Sequence, residues 1–175
     1  GARDTDRDAV SERKSIGSPA SGEDNSTEQD MRCEMCTCIT YENGGFYFGR
    51  NLNLDSSFGE AVTVTPRSFP LDFRNAGRQE RHYAMIGMAA ADDSFPLYAE
   101  AVNEKGLAMA GLNFPGNAFY QKPDGSGLEL ASFEVIAWIL GKCASAAEAE
   151  DHLREMKIID TAFSKTMAPA PLHWM

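Results

Sequence analysis

The sequence predicts an α+β fold in which a run of strands comes first and a pair of helices follows. Three observations predict it. Short runs of β-forming residues recur between turn signals from Cys36 to Phe114. After position 130 the pattern changes: one stretch has apolar residues at helical spacing, and the next opens on a capping sequence. The chain has 175 residues, 43% of them hydrophobic, which is enough for one sizeable domain.

Residues 1–34 stand apart from this pattern. They hold five Lys/Arg (Arg3, Arg7, Arg13, Lys14, Arg32) and nine Asp/Glu, with few large apolar side chains. Such a segment buries too little surface to offset its ordering entropy, so it is expected to be a disordered or non-native leader.

The texture changes at Cys36. The residues from Cys36 to Glu42 favour a strand, Asn43-Gly44-Gly45 marks a hairpin turn, and a second strand follows from Phe46 to Leu54. A three-residue turn sets Glu42 opposite Phe46, Cys38 opposite Arg50 and Cys36 opposite Leu52. Residues 61–65 alternate as a strand and stop at Pro66. Residues 69–81, with Pro70 and Gly77, read as a loop. Residues 82–91 form a near-continuous apolar run, as expected of a strand buried on both faces. A second hairpin joins residues 97–103 to 107–114 through Glu104-Lys105-Gly106. Residues 122–127 read as another loop. One helix is expected over 131–142, from Phe133, Ile136, Ala137 and Leu140. Ser145 and Glu148 form a capping box that opens a second helix ending near Met156, whose wet side carries Asp151, Arg154, Glu155 and Lys157. Residues 158–163 suit a short strand. Pro169 and Pro171 precede a last strand from Leu172. Trp138 and Trp174 read as core residues.

Charge and composition narrow the function. There are 16 basic residues against 26 acidic ones, a net charge of -10, and no basic run, so nucleic acid is not an expected partner. No apolar run approaches the roughly 18 residues of a membrane span, and residues 1–34 hold no apolar core of a secretory signal. The cysteines are Cys33, Cys36, Cys38 and Cys143. Three crowded within six positions make a poor disulfide framework and fit reduced thiols in a cytoplasm.

Cys36 follows Met35, a residue readily trimmed before a small side chain. A cysteine at a chain terminus carries a thiol and an α-amine, a nucleophile with its own base, because an α-amine titrates near ~7.7–8.0. No histidine is placed to serve instead: His82 and His173 sit in strand-like runs, and His152 lies on a helix. Arg50 is a diagonal neighbour of Cys36 on one hairpin face. It reads either as a solvated strand charge or as a guanidinium that favours the thiolate. In the same register Asn53 points to the other face, so a site using both needs a bulge or a curl. Asn113 reads by pattern as a strand-end residue before Pro115. A different reading makes Cys33, Cys36, Cys38 and Cys143 a metal-binding module, although no second Cys-x-x-Cys is present.

Several motifs together resemble one family. They are Met35-Cys36-Thr37, Phe48-Gly49-Arg50-Asn51-Leu52, Asn103-Glu104-Lys105-Gly106-Leu107, Ala110-Gly111-Leu112-Asn113-Phe114-Pro115 and Leu172-His173-Trp174-Met175. In order and spacing they resemble the choloylglycine hydrolase family of conjugated bile acid hydrolases and penicillin V acylases. The resemblance implies an N-terminal nucleophile hydrolase with an αββα sandwich that cleaves linear amide C–N bonds without a cofactor. It implies Cys36 as the nucleophile, Arg50 beside the thiol and Asn113 in the oxyanion hole. Asn53 stands where the family has an aspartate by the nucleophile's amine and thiol; Asp55, two residues on, lies too far round the strand to substitute. The expected partner is a small-molecule amide, first a glycine- or taurine-conjugated bile acid, then penicillin V or an N-acyl homoserine lactone. Further copies of the chain are expected in a full-length homo-oligomer. Residues 35–175 then read as the N-terminal half of such a domain, with the remaining site residues beyond Met175. Either the half-domain is inactive alone, or the chain is a catalytically silent relative. Loops 58–60 and 119–127 are expected to choose the substrate.

Overall fold

The computed structural model describes residues 36–54, 57–92 and 95–175, apart from the side chains of residues 91 and 92. The expectations for residues 1–34, Cys33, Met35 and Asp55 lie outside the described residues.

The first element is the hairpin predicted from the sequence. Strand β1 (Thr37–Glu42) pairs antiparallel with β2 (Phe46–Asn51), with Cys38 opposite Arg50 and Glu42 opposite Phe46. Gly44 takes a φ of 64°, a left-handed conformation open to glycine at no steric cost, so the turn closes in three residues.

The main sheet has five strands in the order β11-β8-β7-β6-β3. These are β3 (Glu60–Thr65), β6 (Met85–Asp92), β7 (Phe95–Asn103), β8 (Ala108–Asn113) and β11 (Leu172–Trp174), each antiparallel to its neighbours. The reading of residues 82–91 as a strand buried on both faces is corrected here. Met85 and Ala89 are buried, but Ile86 is exposed. Ile86 pairs with Val64 and Val102, and these three with Val62 form an exposed apolar row on one face.

The other face is covered. A 3-10 turn (Ser132–Glu134) leads into α1 (Val135–Lys142), which packs on β7 and β8. The helix predicted from residue 131 therefore starts later. Glu134, fully buried, accepts from the backbone N–H groups of Arg74 at 2.6 Å and Ala131 at 2.8 Å. This binds the first turn to a neighbouring loop. Burial pushes the Glu134 carboxyl up, and the two backbone donors pull it back. Helix α2 (Ala146–Glu155) begins as predicted, with Ser145 Oγ accepting from Glu148 N–H. The return bond differs: the Glu148 carboxylate accepts from Ala144 N–H at 2.7 Å.

Residues 69–81 are not a plain loop. They form a small hairpin, β4 (Leu71–Phe73) with β5 (Gly77–Gln79). Its turn is held from outside by Glu134 on Arg74 and by Glu129, which accepts from Asn75 Nδ2 at 2.7 Å. Glu129 belongs to β9 (Leu128–Ala131), which pairs in parallel with β10 (Met156–Ile159). The strand predicted over 158–163 thus begins earlier and ends at Ile159. The two helices supply the crossover that a parallel pair requires.

Candidate active site

Cys36 directly precedes β1 and is half-buried, as is Cys38. In an extended chain, residues two apart point to one side, so both thiols share a face. Arg50 lies across the pair from Cys38. Burial pushes the Cys38 thiol up, Arg50 and a backbone donor at Ile39 pull it down, and Glu100 pushes it up again. The alternative that Arg50 is a solvated strand charge is excluded, because its side chain is 4% exposed. Its Nη1 donates to Glu100 Oε2 on β7 at 2.8 Å.

Anchors along the hairpin set its direction on the sheet. Toward the turn, Thr40 and Phe48 share a cavity wall with Ala108 at the start of β8. Farther back, Arg50 reaches Glu100, which pairs with Ala110. Strand β8 runs on past Ala110 to Asn113. Asn113 is the last residue of that strand, half-buried, opposite Leu172. Asn53, itself exposed between half-buried Leu52 and Leu54, follows β2 in an irregular stretch.

The histidines have partners of their own. His82 is buried in the segment before β6, not in a strand, with its ring nitrogens 2.7 Å from the carbonyls of Phe69 and Tyr83. His152 packs edge-on against Trp138, and His173 lies against Phe114. Of the four cysteines read as a metal module, Cys33 lies outside the described residues. Cys143 is buried at the end of α1, and no group of three His, Cys, Asp or Glu side chains able to hold a metal occurs among the described residues.

Sequence reasoning missed two features. One is Glu100, whose nearness to Arg50 depends on positions 50 residues apart. The other is an apolar hollow of about 320 Å³, lined by Leu52, Leu54, Phe58, Tyr98, Phe133 and Leu172 among others. Leu52 and Leu54 flank Asn53. Of the two loops expected to choose the substrate, 58–60 contributes Phe58 and Glu60 to this hollow, whereas Phe119 in the other is almost fully exposed.

Residues 36–175 match the family model described as linear amide C-N hydrolases, choloylglycine hydrolase family. The chain belongs to that family. A bile salt hydrolase/transferase of Lactiplantibacillus plantarum is 44% identical over 141 residues, covering 81% of this chain and 44% of the relative. A conjugated bile acid hydrolase of Lactobacillus gasseri is 35% identical over 144 residues, covering 81% of this chain and 46% of the relative. A crystal structure of a cysteine-to-alanine mutant of the conjugated bile acid hydrolase from Clostridium perfringens superposes with a TM-score of 0.74 at 31% identity, over 80% of this chain and 44% of that one. A penicillin V acylase from Agrobacterium tumefaciens superposes with a TM-score of 0.61 at 21% identity, over 80% of this chain and 42% of that one, a likeness of fold. The antiparallel sheet with helices on one face is the α+β architecture of these hydrolases. The chain spans less than half the length of the relatives it matches.

Proposed function

We propose that the protein to which these residues belong hydrolyses the amide bond of glycine- or taurine-conjugated bile acids, with Cys36 as a terminal nucleophile. The observation that carries this reading is the hairpin. It sets Cys36 at the head of a strand, with a buried guanidinium on the same face. A thiol so placed needs a base, and an α-amine on the same residue supplies one once Met35 and what precedes it are removed. Family membership and the relatives' names support the bond type and the substrate class.

The amine takes the thiol proton as sulfur attacks the amide carbonyl. Negative charge then develops on the carbonyl oxygen. The Asn113 side-chain amide, with a backbone N–H, donates to that oxygen in the transition state. The protonated amine gives its proton to the departing nitrogen of glycine or taurine. Water attacks the thioester that remains, the amine again taking the proton, and the bile acid leaves. Arg50 brings a fixed positive charge to the hairpin face that bears the thiols. The apolar hollow beside Asn53 seats hydrocarbon surface of the acyl group, since such a cavity gains free energy from apolar area removed from water.

Intact mass and N-terminal sequencing of the full-length gene product, with an assay of free glycine and taurine, test the proposal. A mature chain beginning at Cys36, and loss of release in Cys36→Ser, are expected. A fully active protein that retains residues ahead of Cys36 would overturn it.

A further inference from the structure

We propose that Glu100 is a positioning residue that fixes the Arg50 guanidinium at the thiol end of the hairpin. The inference deepens the functional reading above and rests on Arg50 bringing its charge to the thiol-bearing face.

Arg50 and Glu100 come from different layers, the hairpin and the main sheet, and meet through one bond of 2.8 Å. Their side chains are 4% and 19% exposed. The Arg50 Nε is buried and meets no acceptor among the described residues. Glu100 is thus a part-buried acceptor that holds this guanidinium through Nη1. An arginine side chain has several rotatable bonds, and a carboxylate at a fixed point selects one arrangement among many.

The backbone around Glu100 is built to hold it. Glu100 pairs with Met88, but the next pairing on β6, Ala89, is with Tyr98, so Ala99 is an extra residue in β7. A bulge of this kind re-aims the side chains beside it. On the opposite strand, a Cβ on Gly87 would lie 1.9 Å from the Glu100 carbonyl oxygen. Only a glycine lets β6 approach β7 so closely at this point. Both Arg50 and Glu100 act on the neighbouring Cys38 thiol, so the pair lies within electrostatic reach of the cysteine-bearing face.

Two roles for Glu100 give opposite signs. If it merely offsets the arginine's charge, removing it strengthens the cation's pull and lowers the Cys38 thiol pKa. If it positions Arg50, removing it lets the guanidinium drift, and the pKa rises.

The test is the pH profile of Cys38 alkylation by iodoacetamide on the full-length gene product, located by peptide mass mapping. Arg50→Ala and Glu100→Ala are each expected to raise the midpoint by about one pH unit, roughly a tenfold slower reaction near neutrality. The double variant should show no further rise. Glu100→Gln keeps a neutral acceptor in reach of Nη1 and avoids a cavity, so it folds where alanine fails, and its midpoint rises less. A fall in either folded Glu100 variant, or no change in both while Arg50→Ala shifts, overturns the proposal alone. No shift in Arg50→Ala overturns the role read for Arg50 and this proposal with it.

Discussion

The Asn103 side-chain amide donates to the Cys143 carbonyl at 2.8 Å, joining the end of β7 to the end of α1 across 40 positions of sequence. The same amide nitrogen donates to Leu140 O at 2.8 Å, and its oxygen accepts from Lys105 N–H and Leu107 N–H, each at 3.0 Å. One buried side chain thus satisfies two helix-end carbonyls and shapes the turn that starts β8. Asn103→Ala should cost about 3 kcal/mol, since buried partners are left unpaired. Urea unfolding of the chain checks this: the midpoint should fall with the slope unchanged.

Gly87→Ala should be at least as damaging. Its new methyl would meet the Glu100 carbonyl at 1.9 Å and Ala101 Cα at 2.6 Å, all strand backbone that cannot swing away. Forced overpacking of this kind costs about 3 kcal/mol or more. The loss should appear in the same urea experiment, while Gly49→Ala, whose Cβ would meet only the Ile39 side chain at 3.8 Å, serves as the mild control.

Stability should fall in acid through Glu104. The Arg67 guanidinium bonds its carboxylate and Ala84 N–H donates to it at 3.1 Å, holding its pKa at about 2 against an ordinary 4.5. A depressed folded pKa means that the unfolded chain binds the proton first. The stabilising contribution is therefore present above about 4.5 and is lost as pH falls toward about 2. Glu104→Gln should flatten the stability curve in that window. Added salt should do part of the same, because Arg67 is exposed.

In the full-length gene product, Asn113→Ala should lower kcat by ~10²–10³, the usual loss for one oxyanion donor. Asn53→Asp should raise turnover, because a carboxylate beside the amine and thiol holds the shuttled proton where an amide does not. Release of glycine or taurine measures both. Equal or lower turnover in Asn53→Asp would show that the amide serves as well.

Much of the candidate site was legible because it is local. The register of Cys38 with Arg50 follows from turn length and the two-residue period of a strand, and nothing distant alters either. The second hairpin and the Ser145 cap were readable for the same reason. The hairpin at Leu71–Phe73 was not. Its short strands carry a weak pattern, and its turn is fixed by Glu134 and Glu129, 60 and 54 positions away from the residues they hold. The parallel strand Leu128–Ala131 was missed because four residues are too few to show a period.

By itself the sequence determined the order of elements, the hairpin bearing Cys36 and Arg50, and membership of a family of amide hydrolases. These rest on short-range geometry and on motifs within a few residues. Only the tertiary structure decided that Arg50 is buried against Glu100, that Ala99 is the extra residue beside it, and that Gly87 lets the two strands close. Each depends on how paired strands and layers meet, not on the residues next along the chain. The free energy of such meetings comes from desolvation and packing in three dimensions, which no local pattern encodes.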